Sequence, residues 1–275
     1  MKRRLRISKV SVTLGFGMEF LHKRLLNVES TVSQIRAHEM ARYTRVLQDA
    51  LLESSSTTEK QWDAEEAPTS LASYNFRLSL KDHWDNNGVL GHLLEWSHGS
   101  GHDPGLWISG SSGNQDPWVT ELSIDIAQAL RPQLETVIYV FCSDLAQTSS
   151  TLTPAGLMGI LVGQLLQIYP ELAYNDAVYY NASRLRNATT FKAMWRIFER
   201  LTTDISDVFI VIDRIEECTV DDDAKLKVDF LPALSGLLRQ THGARAIITS
   251  IYKLPEGNSL EGIYIDTAHP KARSE

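Results

Sequence analysis

The chain has 275 residues, 43% of them hydrophobic, and a formal net charge of −7, enough apolar material for one sizeable α/β core with a helical appendage. The acid excess argues against a nucleic-acid partner, whose phosphates are held by clustered Lys and Arg. No run reaches the roughly 18 apolar residues that span a bilayer, and the nearest, 157–169, contains Gln164 and Gln167, so no membrane partner is expected either.

The first nine residues, MKRRLRISK, are basic and contain no acid. Two readings stand: a solvated, frayed terminus, or a targeting segment of mitochondrial type. No secretory apolar region with a small-residue cleavage site follows, and a cytoplasmic location is expected. The two cysteines, Cys142 and Cys218, each close an apolar segment and share no metal-type spacing. They are expected to be reduced thiols.

From 16 to about 52 the sequence predicts one long helix. Met18, Leu21, Leu25, Val28, Val32 and Ile35 recur at alternating steps of three and four, a narrow apolar stripe. The phase then slips by one residue and resumes with Met40, Tyr43, Leu47 and Leu51. Such a stutter argues for a helix packed in a bundle over an uninterrupted coiled coil. The helix either covers its own domain or serves as an arm for protein partners, with a homo-oligomer compatible with the second role. Residues 1–55 are therefore taken as a helical arm. Residues 56–85, with the polar runs SSSTTEK and EEAPTS, form a linker, and 86–275 one domain.

Within that domain Asn87-Gly88 marks a turn before a short amphipathic helix, 89–96. HGSGHDPG is a loop, and its His98 and His102 lie on no helix face, so no metal is expected there. Strands are predicted at 106–108, 136–141, 208–212, 246–249 and 263–266, and helices at 118–130, 154–169, 191–201 and 224–240. The last is expected to bend at Pro232 and to close at Gly243. Strands separated by helices imply right-handed crossovers and a mostly parallel sheet flanked by helices. Ligands in such sheets bind beyond the carboxyl ends of the strands.

Two stretches stand at those ends. After the first strand comes Ser109, then Gly110, Ser111, Ser112, Gly113, Asn114, Gln115, Asp116 and Pro117, then a helix. Strand, glycine-rich loop and helix is the setting in which backbone N–H groups cradle phosphate. A working loop reads G-x-x-x-x-G-K-[ST], its lysine facing the β- and γ-phosphates and its hydroxyl ligating magnesium. Here Gln115 stands at the second glycine, Asp116 at the lysine and Pro117 at the hydroxyl position. Asp116 repels polyphosphate; Pro117 offers neither hydroxyl nor N–H; Gln115 carries a Cβ where positive φ is usual. Asp116-Pro117 is equally an ordinary helix start, with an N-cap followed by proline at the first helical position. The second stretch is VFIVIDRIEEC, a buried strand closed by Asp213, with Glu216 and Glu217 after it. That is the Walker B arrangement of a magnesium-side carboxylate and a second acid; a solvated acidic loop is the plainer reading.

The order LLEW, GLWISGSSG, TVIYVFC, FKAMWRIFERL, DVFIVIDRIEEC, ARAIITS resembles the NACHT module of fungal STAND proteins, nearest to the nephrocystin-like N-terminal NACHT domains, over 93–250. The resemblance implies a P-loop NTPase-like fold that binds and slowly hydrolyses ATP or GTP with magnesium, switching between an N-terminal effector and C-terminal sensor repeats. It places Gly110, Ser111, Ser112, Gly113, Asn114, Gln115, Asp116 and Pro117 at the Walker A loop and Asp213, Glu216 and Glu217 at the Walker B acids. Thr249 and Ser250 fall at the end of the sensor strand, where the family usually continues with arginine and this chain has Ile251. The departures remove positive charge or metal ligation. The expectation is thus a pseudo-NTPase scaffold acting through protein contacts, without a cofactor and with only vestigial catalytic residues. Two alternatives remain: a residual ATP/GTP switch with Lys192, Arg196 or Arg214 supplying the missing charge, and a decayed chain, truncated before the helical subdomains and repeats.

Overall fold

The computed structural model describes residues 2–55, 93, 96, 104–111, 118–131, 136–142, 152–205, 207–218, 223–241, 243–252 and 260–266. In chain order the elements are α1 (Lys2–Ser55), β1 (Gly105–Ser111), α2 (Trp118–Leu130), β2 (Val137–Phe141), α3 (Pro154–Ile168), α4 (Pro170–Asn175), α5 (Ala182–Asn187) and α6 (Phe191–Thr203). There follow β3 (Phe209–Asp213), a 3-10 turn (Ile215–Glu217), α7 (Asp223–Gln240), β4 (Arg245–Ser250) and β5 (Glu261–Asp266).

The five strands form one sheet in the order β2-β3-β4-β1-β5, and every pairing is parallel. Successive side chains on a strand point to opposite faces, and both faces here are apolar. Leu106, Ile108, Val137, Tyr139, Phe141, Phe209, Val211 and Ile247 share one buried cluster with Val119, Leu122, Ile126 and Ala127 of α2. Trp107, Ile138, Val140, Ile210, Ile212, Ala246 and Ile248 share the other with α3, α5, α6, α7 and the C-terminal end of α1. Right-handed connections explain the split. β1 to β2 crosses the sheet one way, β2 to β3 to β4 comes back, and the intervening helices must lie on opposite faces. The result is the expected α/β, P-loop NTPase-like architecture: a parallel sheet flanked by helices, with a helical arm.

Residues 93 and 96 are helical, as predicted for that segment. Trp96 packs edge-on to Phe209 at 5.7 Å, and Arg245 stacks over its ring at 5.4 Å. β2 is an edge strand whose outward backbone groups are met by one side chain: Gln164 Oε1 accepts from Tyr139 N at 2.9 Å and Gln164 Nε2 donates to Tyr139 O at 2.8 Å. The amide imitates a neighbouring strand and closes the edge. Helix starts follow their capping residues: Thr153 accepts from Gly156 N at 3.1 Å and Thr190 from Ala193 N at 3.3 Å. α7 runs through Pro232, and Gly243 takes the positive φ, 83°, that a side chain resists.

Three expectations change. β1 is longer than predicted and includes Ser109, Gly110 and Ser111, because β5 runs alongside it and pairs Gly110 with Ile265 and Ser111 with Asp266. The first two residues assigned to the phosphate loop are thus strand. The segment between α3 and α6 forms two short helices, α4 and α5, which six residues of periodicity could not reveal. And α1 divides at its phase slip. Leu47 and Leu51, beyond the slip, are fully buried, and Tyr43 donates from its hydroxyl to Tyr180 O. Met18, Leu21, Leu25, Val28, Val32 and Ile35, before the slip, are 58–70% exposed. The linker 56–85 lies outside the described residues, as do His98 and His102.

Candidate functional site

The parallel sheet brings the carboxyl ends of β1, β3 and β4 to one edge. Asp213 closes β3 there, in register with Phe141 of β2, and Ser250 closes β4 opposite Ser109 of β1. Ser112, Gly113, Asn114, Gln115, Asp116 and Pro117 of the predicted loop lie outside the described residues; Gly110 and Ser111 end β1.

Asp213 is completely buried, as its place on the α2-facing side of an internal strand dictates. Its oxygens meet hydroxyls on two elements. Thr120 Oγ1 of α2 donates to Oδ2 at 2.8 Å. Thr249 Oγ1 of β4 donates to Oδ1 at 2.8 Å, and Ser123 Oγ lies 3.0 Å from the same oxygen. Ser123 Oγ is also 3.0 Å from Val119 O and from Thr249 Oγ1, so its one proton is shared among these acceptors. Thr249 Oγ1 in turn accepts from Arg214 N at 3.2 Å. A carboxylate has about four lone-pair sites, and three hydroxyls already converge on this one.

The acids after β3 are also engaged. Arg214 has a left-handed backbone, φ 49°, which turns the chain so that its side chain lies over the 3-10 turn. Its Nε donates to Glu216 Oε1 at 2.6 Å, and its terminal nitrogen donates to Glu217 Oε1. Burial pulls the guanidinium down, but the hydrogen bond to Glu216 and the charges of Glu216, Glu217 and Asp213 outweigh it and hold it above its ordinary value. Ile251 N, at the position where the resemblance implies arginine, donates to Glu216 Oε1 at 3.3 Å. Glu216 Oε2 is buried without a hydrogen-bond partner among the described residues. Lys192 and Arg196 are exposed on α6, and Tyr179 donates to the carbonyl of Arg196 at 3.4 Å.

Among the described residues, these acids are engaged by groups of the protein itself. Magnesium takes near-octahedral oxygen ligands, one or two of them carboxylates, with several waters. Asp213 presents no surface and its oxygens face protein hydroxyls; Glu216 and Glu217 share an internal cation. Glu216 Oε2 is a buried acceptor that no described residue fills. Among the described residues no cluster of His, Cys, Asp and Glu has the arrangement of a metal site.

Cys142 and Cys218 border the same edge as free, buried thiols. Burial, with the nearby charges of Cys218, Asp213, Glu216 and Glu217, pushes Cys142 well up. Burial pushes the Cys218 thiol from 9.0 to about 12. Below pH 9 both folded and unfolded chains keep that proton and the stability is whole. Above it the unfolded thiol ionises first, so stability falls as pH rises toward 12, by about 1.4 kcal/mol per pH unit per thiol. Denaturation midpoints between pH 9 and 10, below the tyrosine range, are expected to fall less steeply in Cys218→Ala. An unchanged slope would contradict the shift.

Thr120 and Ser123 belong to no motif in the sequence. The signal was present: two hydroxyls three residues apart on the helix face that also carries Val119, Leu122 and Ile126. Hydroxyls on an otherwise apolar, buried face need partners.

A family model described as Nephrocystin 3, N-terminal, matches residues 91–251, more than half of the chain. Among solved structures the chain is similar to the Walker-type ATPase PABY2304 of Pyrococcus abyssi, with 12% identity and a TM-score of 0.40 over 64% of this chain; the match spans about half, 51%, of that protein. No curated protein matches the chain.

Proposed function

The chain belongs to the nephrocystin 3 N-terminal family over residues 91–251, and on that premise we propose a NACHT-like scaffold, a pseudo-NTPase that acts through protein contacts. The observation that carries this reading is the buried Asp213 with hydroxyls from Thr120, Ser123 and Thr249 directed at it. Gln115, Asp116 and Pro117 support it from the sequence, as does the pairing of Arg214 with both Glu216 and Glu217. In this reading Gly110, Ser111, Ser112, Gly113, Asn114, Gln115, Asp116 and Pro117 are a vestigial Walker A loop. Asp213, Glu216 and Glu217 are vestigial Walker B acids and Thr249 and Ser250 a sensor-strand end. The same proposal includes a fungal STAND-type signalling context and a cytoplasmic location, the partner surface being α1. No helix among the described residues is long and apolar enough to cross a membrane.

A second reading, a residual ATP or GTP switch, is favoured by one feature, the unfilled Glu216 Oε2 beside the strand ends. Phosphate release from ATP and GTP with magnesium separates the two. The purified chain is expected to release phosphate no faster than buffer, and Asp213→Asn to behave identically. Turnover that Asp213→Asn abolishes would remove the scaffold reading. A broad, non-cooperative denaturation curve would instead favour a decayed chain.

A further inference from the structure

The seam of α1 before its phase slip has a partner that its own residues specify. α1 is one continuous helix of 54 residues, about 80 Å long at 1.5 Å per residue. Its last third docks on the domain, through Leu47, Ala50 and Leu51, all fully buried. The six apolar side chains from Met18 to Ile35 are 58–70% exposed, so the domain that holds the end of α1 does not cover this stripe.

The stripe repeats every seven residues, with Met18, Leu25 and Val32 at a positions and Leu21, Val28 and Ile35 at d positions. A strict a/d stripe is narrower than the face a helix lays on a globular core and matches the seam of a coiled coil. It stops where the repeat next places Glu39 and Arg42, which pair with each other at 3.1 Å. The flanking positions select the partner. In a parallel, in-register assembly Arg24, at g, faces Glu29, at the following e position of the neighbouring copy, and the reciprocal pair forms by symmetry. The other such pairs, Gly17 with His22 and Thr31 with Arg36, carry no like-charge repulsion.

We propose that α1 binds further copies of this chain, side by side and parallel, through Met18, Leu21, Leu25, Val28, Val32 and Ile35. The β-branched Val28 and Ile35 at d, with Leu25 at a, favour three or four strands over two. The docked end of α1 supplies the helical nucleus, so association need not start from an unstructured peptide. Self-association names the partner of the scaffold proposed above and rests on that reading.

The test uses the full chain. Light scattering at tens of micromolar concentration should give a mass of several copies of the 30.9 kDa chain. Leu25→Asp with Val28→Asp should weaken association at least about 100-fold, since each copy would bury unpaired charges. The denaturation midpoint of the domain should stay unchanged, because these side chains touch none of it. Leu21→Cys should cross-link to itself on oxidation, the native thiols being buried. A monomer at these concentrations overturns the proposal, and so does an oligomer that survives the double substitution. A Leu21→Cys chain that links only to a Val32→Cys chain overturns the parallel order, and a monomer that floats with lipid vesicles assigns the stripe to a membrane surface. Mass and cross-linking involve no nucleotide, so turnover by a chain that still assembles would remove the scaffold reading alone.

Discussion

Gln164→Leu is expected to lower the stability of the domain by about 2–6 kcal/mol, the cost of leaving two buried backbone groups without partners at about 1–3 kcal/mol each. Gln164 is buried beneath the sheet edge, and its amide fills both the N–H and the carbonyl of Tyr139. Leucine matches the volume but offers no polar atom, and Tyr139 is too buried for water to replace the amide. The same substitution on an exposed helix face would move stability by a few tenths of a kcal/mol at most. Urea denaturation measures the effect. A midpoint shift worth under about 0.5 kcal/mol would show that the edge is satisfied some other way.

Asp213→Ala is expected to cost about 3 kcal/mol or more, because buried hydroxyls that lose their acceptor forfeit about 1–3 kcal/mol each. Thr120, Ser123 and Thr249 would lose their shared acceptor, and Arg214 N would remain bonded to a Thr249 hydroxyl that no longer has a fixed orientation. Asp213→Asn keeps one oxygen and the shape of the side chain. Its Nδ2 can donate to a hydroxyl that turns to accept, and the expected cost is smaller, about 1–2 kcal/mol. A carboxylate kept for a metal behaves differently: its replacement removes activity and leaves stability near the wild-type value. Denaturation of both variants beside the parent chain distinguishes the cases. Stability unchanged in Asp213→Ala would argue that the hydroxyl cage is not what the carboxylate is for.

The sheet was legible because its strands are buried on both faces and therefore appear as unbroken apolar, β-branched runs: TVIYVF, VFIVI and AIIT. Ser109, Gly110 and Ser111 gave no such sign. Their strand character comes from β5, and for Ser109 from β4 as well, some 150 residues later in the chain, and local propensity carries no trace of it. The period of α1 was legible in full, including the slip after Ile35. Periodicity records that a stripe exists, not what covers it, and only the position of the domain separates the docked half from the exposed one. At the candidate site Asp213 was found from its place at a strand end. Its surroundings were not, because Thr120, Ser123 and Thr249 come together across 93, 90 and 36 residues of sequence. Arg214 is one of the three residues the sequence offers for the missing phosphate-facing charge; its left-handed backbone is what commits it to Glu216 and Glu217.

The most direct test of the pseudo-NTPase reading is an equilibrium titration of the 275-residue chain with fluorescent ATP and GTP in the presence of magnesium. No saturable binding up to about 1 mM nucleotide, a binding free energy weaker than about 4 kcal/mol, is the expected result. Micromolar, magnesium-dependent binding that Asp213→Asn weakens would contradict it.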